Sequence, residues 1–168
     1  MRKIYVISDT HFNHNNIIRY CNRPFKDAQE MNEALINNWN NTVDDTDIIY
    51  MLGDFCLGPV DCIAPLVQQL NGHKILITGN HDRQNKKIYL DAGFEKVIKE
   101  TAGIIYLDGN REVYINFSHH PHPEMPHNIY GHVHDLTDNN DAEHFCACVE
   151  QINYTPIELQ EIINKMGW

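Results

Sequence analysis

The sequence predicts an α/β fold in which two β-sheets of mixed strand direction pack together and helices lie outside them. In the first half of the chain, short apolar strands alternate with amphipathic helical segments, which is typical of a parallel sheet with right-handed crossovers. In the second half, strand-like runs follow one another with turns between them, which favours antiparallel pairing. No repeat, low-complexity run or linker interrupts the 168 residues, so we expect a single domain over residues 1–168.

The first half of the chain reads strand, helix, strand, helix, strand. Asp27 is a suitable N-cap for the longest helix, because Met31, Leu35 and Trp39 then recur along one face of it. Pro59 suits the first turn of the next helix, whose apolar stripe ends before a glycine. The predicted strands are 3–8, 47–53 and 74–78, and the predicted helices are 17–20, 28–41 and about 59–70.

The second half is rich in strands and ends in a helix. Asp108-Gly109-Asn110 lies between two strand-like runs and predicts a hairpin turn. Thr155 and Glu158 have the spacing of a capping box, with Pro156 at the first position of the last helix and Gly167 at its end. The other predicted elements are a helix at about 84–91, strands at 94–99, 103–108, 112–118, 128–131 and about 144–149, and a polar loop at 135–141.

Polar side chains follow five of the predicted strands at the point where each strand ends. Gly79-Asn80-His81-Asp82, for example, comes directly after the apolar centre of the strand at 74–78. Because polar groups converge beyond the carboxyl ends of strands in open α/β sheets, we expect these side chains to share one rim. The candidate ligands on this rim are Asp9, His11, Asp54, Asn80, His119, His132 and His134.

These candidate ligands predict a centre for two metal ions. All are oxygen or imidazole nitrogen donors, which suit manganese, iron, zinc, nickel or cobalt and do not favour a closed structural zinc site. Seven donors are too many for one ion that keeps an open position. They divide naturally between two ions about 3.5–4 Å apart with one carboxylate bridging, an arrangement suited to in-line displacement at phosphorus.

The composition argues against several classes of protein. A formal net charge of −10 argues against a broad basic surface that holds nucleic acid. No apolar run approaches the roughly 20 residues of a membrane-spanning helix, so we expect no membrane partner. Five cysteines without a disulfide-scaffold pattern favour free thiols in a reducing compartment. The chain enters a strand at once with no signal peptide, and we expect a cytoplasmic protein.

Five motifs in this chain, taken together and in order, resemble those of the calcineurin-like metallophosphoesterases. They are Asp9-X-His11, Gly53-Asp54, Gly79-Asn80-His81-Asp82, a later His119, and Gly131-His132-X-His134. The C-terminal stretch at 154–159 also resembles small bacterial and phage-type members of the family. The resemblance implies a four-layer αββα sandwich without a cap domain, with manganese as the first expectation for both ions.

The resemblance also implies a role for each residue. Asp54 would bridge the two ions. His81 would not be a ligand; it would stabilise charge at the phosphoryl group and protonate the leaving oxygen, and Asn80 would help to position that group. Apart from the resemblance, we hypothesise that Asp82 orients and charge-stabilises His81, as carboxylates commonly do for imidazoles. The implied ligands are Asp9, His11 and His134 for the first ion and Asn80, His119 and His132 for the second.

Some positions have more than one interpretation. His119 and His120 are adjacent, and only one of them can point into the site; the family pattern favours His119. His14 and His122 are candidates for substrate contact, with a solvated loop histidine as the alternative. Arg23 fits either a substrate phosphate contact or a structural salt bridge.

The function expected from these residues is hydrolysis of a phosphodiester by a hydroxide that bridges two metal ions. Alternatives are a phosphomonoesterase or a nuclease, although the acidic composition disfavours nucleic acid. A catalytically silent scaffold of the same fold is the non-enzyme alternative, and the presence of His81 and every ligand argues against it. The expected partner is a small phosphoester or a nucleotide.

Overall fold

The computed structural model describes residues 2–134, 136 and 141–168. Most of the polar loop predicted at 135–141 lies outside these residues. The helices are α1 (Asn15–Tyr20), α2 (Ala28–Thr42), α3 (Ile63–Val67), α4 (Lys86–Ala92) and α5 (Leu159–Met166). The strands are β1 (Ile4–Ile7), β2 (Ile48–Met51), β3 (His73–Thr78), β4 (Lys96–Lys99), β5 (Thr101–Asp108), β6 (Arg111–Ser118), β7 (Asn128–Tyr130), β8 (His144–Cys146) and β9 (Ile157–Glu158).

The strands form two mixed sheets, as the sequence predicts. The first sheet has the order β4-β3-β2-β1-β9, in which β1 to β4 are parallel and β9 is antiparallel to β1. The second sheet has the order β5-β6-β7-β8. Its hairpin β5–β6 is antiparallel and turns at Gly109-Asn110, as predicted. The expectation of antiparallel pairing fails for β6, β7 and β8, because β7 pairs in parallel with both β6 and β8.

The apolar side chains form two large clusters, one on each face of the first sheet. One cluster packs the helices against that sheet and includes Met31, Leu35 and Trp39, the predicted stripe of α2. The other fills the space between the two sheets, where Tyr50 stacks on Phe117 at 4.4 Å between ring centroids. Both sheets are therefore closely packed on apolar side chains, and the loops that carry the candidate ligands start from their carboxyl ends.

Helix α2 begins as predicted, because the Asp27 carboxylate accepts the backbone N–H of Glu30 at 2.9 Å. The other helical predictions are less accurate. The helix expected from Pro59 to about residue 70 is a 3₁₀ turn at Val60–Cys62 followed by the short α3. No helix in the described part of the chain is long and apolar enough to span a membrane.

The predicted capping box at the C-terminus is wrong. Ile157 and Glu158 pair with β1 as strand β9, so α5 starts only at Leu159. The Thr155 hydroxyl donates to the carbonyl oxygen of Asn153 at 3.1 Å instead of capping a helix. The tertiary pairing with β1 thus outweighs the local helix signal. The predicted end is correct, since Gly167 has φ 73° at the C-cap of α5.

Candidate metal centre

The carboxyl ends of five strands meet at one rim, where they bring the seven candidate ligands together. Backbone hydrogen bonds connect the first two of these ends: Asp9 N–H donates to the carbonyl oxygen of Gly53 and His11 N–H to that of Asp54, both at 3.0 Å. The supporting strands are β1 for Asp9 and His11, β2 for Asp54, β3 for Asn80, β6 for His119, and β7 for His132 and His134.

The first ligand group consists of Asp9, His11 and His134. Asp9 Oδ1 lies 3.8 Å from Nε2 of His11 and 3.8 Å from Nε2 of His134. Asp9 Oδ1 and His11 Nε2 are buried and have no hydrogen-bond partner among the described residues. Leaving a buried oxygen and a buried nitrogen unpaired is costly, and a cation between them would satisfy both.

The remaining oxygen of Asp9 is fully occupied. Asp9 Oδ2 lies 2.5 Å from Ser8 Oγ, 2.8 Å from the backbone N of His132 and 3.3 Å from Cys148 Sγ. These three donors fix the carboxylate plane. They also direct Oδ1, the oxygen that lacks a partner, towards His11 and His134.

The second ligand group consists of Asn80, His119 and His132. Asn80 Oδ1 lies 3.0 Å from both His119 Nε2 and His132 Nδ1, and those two nitrogens are 3.2 Å apart. Ligand atoms held about 2.0–2.2 Å from one ion are separated by about 3.0–3.5 Å, so this spacing suits a single ion. His119 Nδ1 donates to the carbonyl oxygen of Leu52 at 2.8 Å, which leaves Nε2 free to bind metal.

Asp54 joins the two groups. Its Oδ2 lies 3.5 Å from His11 Nε2 in the first group and 3.6 Å from His119 Nε2 in the second. Its Oδ1 accepts the backbone N–H of His81 at 2.8 Å, which holds the carboxylate in place. The donor set and its spacing therefore fit two divalent ions, with Asp54 between them.

The backbone at the candidate ligands is strained. Eleven non-glycine residues in the described ranges have a positive φ, and five of them are candidate ligands. Such conformations cost of order 1–3 kcal/mol each and cluster at functional sites. The five are Asp9 (φ 58°), His11 (φ 49°), Asp54 (φ 56°), His132 (φ 73°) and His134 (φ 53°).

Two glycines allow the ligand loops to approach one another. A Cβ atom on Gly79 would lie 2.2 Å from Asp54 Oδ1, and one on Gly131 would lie 1.9 Å from Ser8 Oγ. Both distances are far below van der Waals contact. The glycines before Asn80 and His132 are thus needed because other residues would displace the ligand loops.

His81 lies beside the bridging carboxylate without joining either ligand group. Its Nε2 is 3.9 Å from Asp54 Oδ2, its ring contacts the His11 ring edge-on, and its side chain is 34% exposed. Neither ring nitrogen hydrogen-bonds to a residue in the described part of the chain. The imidazole is therefore free to contact a bound phosphoryl group.

The structure corrects the role expected for Asp82. Its Oδ2 accepts the backbone N–H groups of Asp54 at 2.7 Å and Gly79 at 2.9 Å, and its Oδ1 accepts that of Phe55 at 3.1 Å. Both oxygens thus hold two ligand loops together and do not orient the His81 ring. Burial raises the pKa of Asp82 to about 6, although these hydrogen bonds oppose the shift.

The structure also decides between the two interpretations of Arg23. Its side chain is buried, and its Nη2 lies 2.7 Å from Glu150 Oε1. The salt bridge is therefore present, and the guanidinium is unavailable to substrate.

The other histidines lie around the centre. His14 Nδ1 is 3.4 Å from His11 Nδ1, and its ring is 6.5 Å from that of His81. His120 is exposed and packs edge-on against His132, whereas His119 is buried; the three rings have nitrogens within 4.8 Å of one another, so the choice of His119 as the ligand stays a prediction. His122 donates to Glu124 and, with Asn80, His119 and His120, lines a cleft of about 480 Å³ beside the second group.

The two ends of the first group differ in charge. Burial and the nearby charges of His134 and Arg23 lower the pKa of His11 to about 2, so its ring is neutral. Burial also opposes protonation of His134, but hydrogen bonds with Cys21 and Glu150 outweigh it and raise its pKa to about 10.

Sequence reasoning missed three residues that support the ligands: Ser8, Cys148 and Glu150. Ser8 and Cys148 contact Asp9, and Glu150 accepts from His134 Nδ1 at 3.0 Å. Glu150 carries the same signal as the recognised ligands, because it follows the apolar run at 145–149 as a polar strand end. In the structure β8 ends at Cys146, and Glu150 lies four residues further along the chain.

Comparison with known proteins agrees with this geometry. A family model described as calcineurin-like phosphoesterase matches residues 2–153. The uncharacterized protein MJ1445 of Methanocaldococcus jannaschii is 39% identical over 171 residues, which cover 97% of this chain and 90% of that protein.

Two solved structures are also similar. The protein of unknown function AQ665 from Aquifex aeolicus superposes with a TM-score of 0.78 and 28% identity, over 98% of this chain and 100% of that one. The Pseudomonas putida nuclease MPE reaches a TM-score of 0.47 with 18% identity, over 79% of this chain and 62% of the nuclease, too low a likeness to indicate a substrate.

Proposed function

The chain belongs to the calcineurin-like phosphoesterase family, and on that premise we propose that it is a phosphodiesterase that depends on two divalent metal ions. The observation that carries this proposal is the position of Asp54 Oδ2, within 3.6 Å of one imidazole nitrogen from each ligand group. A carboxylate shared in this way suits a pair of ions and not two independent sites.

The residues that would hold the ions are those of the two ligand groups together with Asp54. Two divalent ions held there would lower the pKa of water and would stabilise the negative charge on the phosphoryl oxygens. The donor chemistry suits manganese first, with iron, zinc, nickel or cobalt as alternatives.

His81 would act on the substrate directly. Its ring is half-exposed, faces Asp54 and has no hydrogen-bond partner among the described residues, so it can donate to a phosphoryl or leaving-group oxygen. General acid catalysis of this kind contributes roughly 10²–10⁴-fold. Asn80 is exposed beside it, which supports a part in positioning the phosphoryl group as well as in binding metal.

The open surroundings of the centre favour a diester over a monoester. The phosphorus of a diester carries two organic substituents, which need space in two directions. On one side, the cleft of about 480 Å³ extends from Asn80 and His119 past His120 and His122. On the other side, His81 and His14 are only partly covered. A small phosphodiester or a nucleotide fits this space, and His14 and His122 are placed to contact its substituents.

Purified protein loaded with Mn²⁺ should be tested on bis-p-nitrophenyl phosphate and p-nitrophenyl phosphate. We expect a higher kcat/KM for the diester. A higher kcat/KM for the monoester would favour the phosphomonoesterase alternative, and cleavage of labelled DNA or RNA would favour the nuclease. If the loaded protein hydrolyses no phosphoester, the scaffold alternative replaces the enzyme.

A further inference from the structure

A buried ion pair lies directly behind the first ligand group. Arg23 and Glu150 have side chains that are 0% and 6% exposed, and Glu150 Oε1 lies 2.7 Å from Arg23 Nη2 and 2.9 Å from Arg23 Nε. The same oxygen accepts a hydrogen bond from His134 Nδ1 at 3.0 Å. One carboxylate oxygen therefore joins a buried cation to a candidate metal ligand.

The guanidinium of Arg23 also holds the strand end that carries the other two ligands of this group. Its Nη2 donates to the carbonyl oxygen of Asp9 at 2.8 Å, and its Nη1 donates to that of Thr10 at 3.0 Å. The segment 9–11 leaves the sheet in a strained conformation, since both Asp9 and His11 have a positive φ. Arg23 thus connects the end of β1 to Glu150, and through Glu150 to His134.

Folding alone does not account for this arrangement. A buried ion pair contributes little net stability compared with apolar side chains of the same volume, because both charges lose their hydration. Its position, in contrast, has a clear consequence for the ligands. A hydrogen bond from His134 Nδ1 to a fixed carboxylate sets the ring orientation and leaves Nε2 facing Asp9 Oδ1.

In the second ligand group, the buried carboxylate of Asp82 supports the loop of Asn80 through the backbone N–H of Gly79, but no buried ion pair of the described residues holds a ligand side chain. His119 is held by the carbonyl oxygen of Leu52, a neutral acceptor. His132 is exposed, and neither of its ring nitrogens pairs with a carboxylate in the described ranges. The two groups therefore differ in how firmly they are held before any ion binds.

We propose that Arg23 and Glu150 are positioning residues that fix Asp9, His11 and His134 as a preformed site, so that the first ion binds more tightly than the second. This proposal rests on the two-ion centre of the proposed function. It assigns no contact with substrate to either residue. Their effect acts through His134 and through the carbonyl groups at 9 and 10.

The test is calorimetric titration of the metal-free protein with Mn²⁺. The wild-type chain should show two classes of site, and we expect His11→Ala to remove the tighter one; loss of the weaker class instead would contradict the proposed order of affinities. The double variant Arg23→Met/Glu150→Met removes both charges, so that neither is left buried and unpaired. We expect it to weaken the tighter class by roughly 10- to 100-fold and the other class by less than about threefold.

Two further variants separate positioning from general destabilisation. Glu150→Gln keeps an acceptor oxygen for His134, so it should retain part of the affinity that the double variant loses. Asp47→Asn removes a buried carboxylate at the opposite end of the first sheet, where it accepts the backbone N–H groups of Lys3 and Asp44. It should lower the melting temperature without changing either class of site.

Two outcomes would overturn the proposal: unchanged affinity of the tighter class in the folded double variant, or equal weakening of both classes. The measurement reads metal binding and not turnover. The wild-type chain could therefore bind two ions and yet hydrolyse no phosphoester. That result would contradict the proposed function but not the positioning role of Arg23 and Glu150.

Discussion

The two halves of the candidate centre contain the same kinds of donor but differ in their surroundings. Asp9 and His11 in the first half are 0% and 1% exposed, and the buried Arg23–Glu150 pair lies behind them. In the second half, Asn80 and His132 are exposed and border the open cleft. The first half is thus enclosed by protein, whereas the second is open to solvent and to the cleft.

This difference follows from where each half lies in the fold. The first half sits over the space between the end of β1 and the end of β8, where Ser8 and Cys148 cover Asp9 from behind. The second half lies where the loop after β6 leaves the sheet, and only His119 is buried there. Burial removes water and strengthens electrostatic interactions. Because of their positions in the sheets, the two halves therefore differ in the strength of the electrostatic interactions around their ligands.

The strongest test of the comparison is to remove the residue that the two halves share. Asp54→Ala should abolish turnover and weaken both classes of metal site, because Oδ2 faces an imidazole of each half. Metal content after dialysis and hydrolysis of bis-p-nitrophenyl phosphate measure the two effects. If the variant keeps one ion with wild-type affinity, Asp54 serves only one half.

A large effect on turnover alone is expected from His81→Ala. The ring lies outside both ligand groups, so both ions should remain while kcat falls roughly 10²–10⁴-fold. Elemental analysis and steady-state kinetics on one preparation check both statements. Loss of either ion from this variant would mean that His81 belongs to a ligand group, and the division into two halves would be wrong.

A smaller effect is expected from partial removal of metal. A dilute chelator should take the ion of the exposed half first, leaving about one ion per chain, since less protein structure holds Asn80 and His132 in place. His132→Ala should already lack this weaker ion and should keep the resistant one. The Mn²⁺ content per chain, measured against chelator concentration, gives the order in which the two ions leave. Release of both ions at the same chelator concentration would contradict the difference between the two halves.

The smallest effect on the centre is expected from Asp82→Asn. Its oxygens accept three backbone N–H groups beneath both halves, and an amide can satisfy only part of them. We expect the free energy of unfolding to fall by about 1–3 kcal/mol, measured by urea denaturation. Metal affinities should change little. A fall in kcat with unchanged stability would restore the role of Asp82 in orienting His81.

The convergence of the seven candidate ligands was predictable from sequence, because each follows an apolar strand and such strands are strongly patterned. Glu150 has the same pattern, because it directly follows the strand predicted to end at about residue 149, but it lies beyond the last family motif at His134 and was missed. A consistent reading of strand ends would have included it.

Other features depend on pairings between distant parts of the chain. Nothing local in Ile157-Glu158 indicates that it pairs with Tyr5 and Val6, and the capping-box spacing favours a helix there. Asp82 follows His81 in sequence, yet its carboxylate bonds to the turn after β2. Sequence adjacency suggested a contact that the folded turn does not make.

The central claim, a two-ion centre joined by Asp54, is tested most directly by anomalous diffraction at the manganese edge from crystals grown with Mn²⁺. We predict two peaks about 3.5–4 Å apart. One should lie among Asp9, His11 and His134, the other among Asn80, His119 and His132, and both should contact Asp54. A single peak, or two peaks that do not share Asp54, would contradict the account.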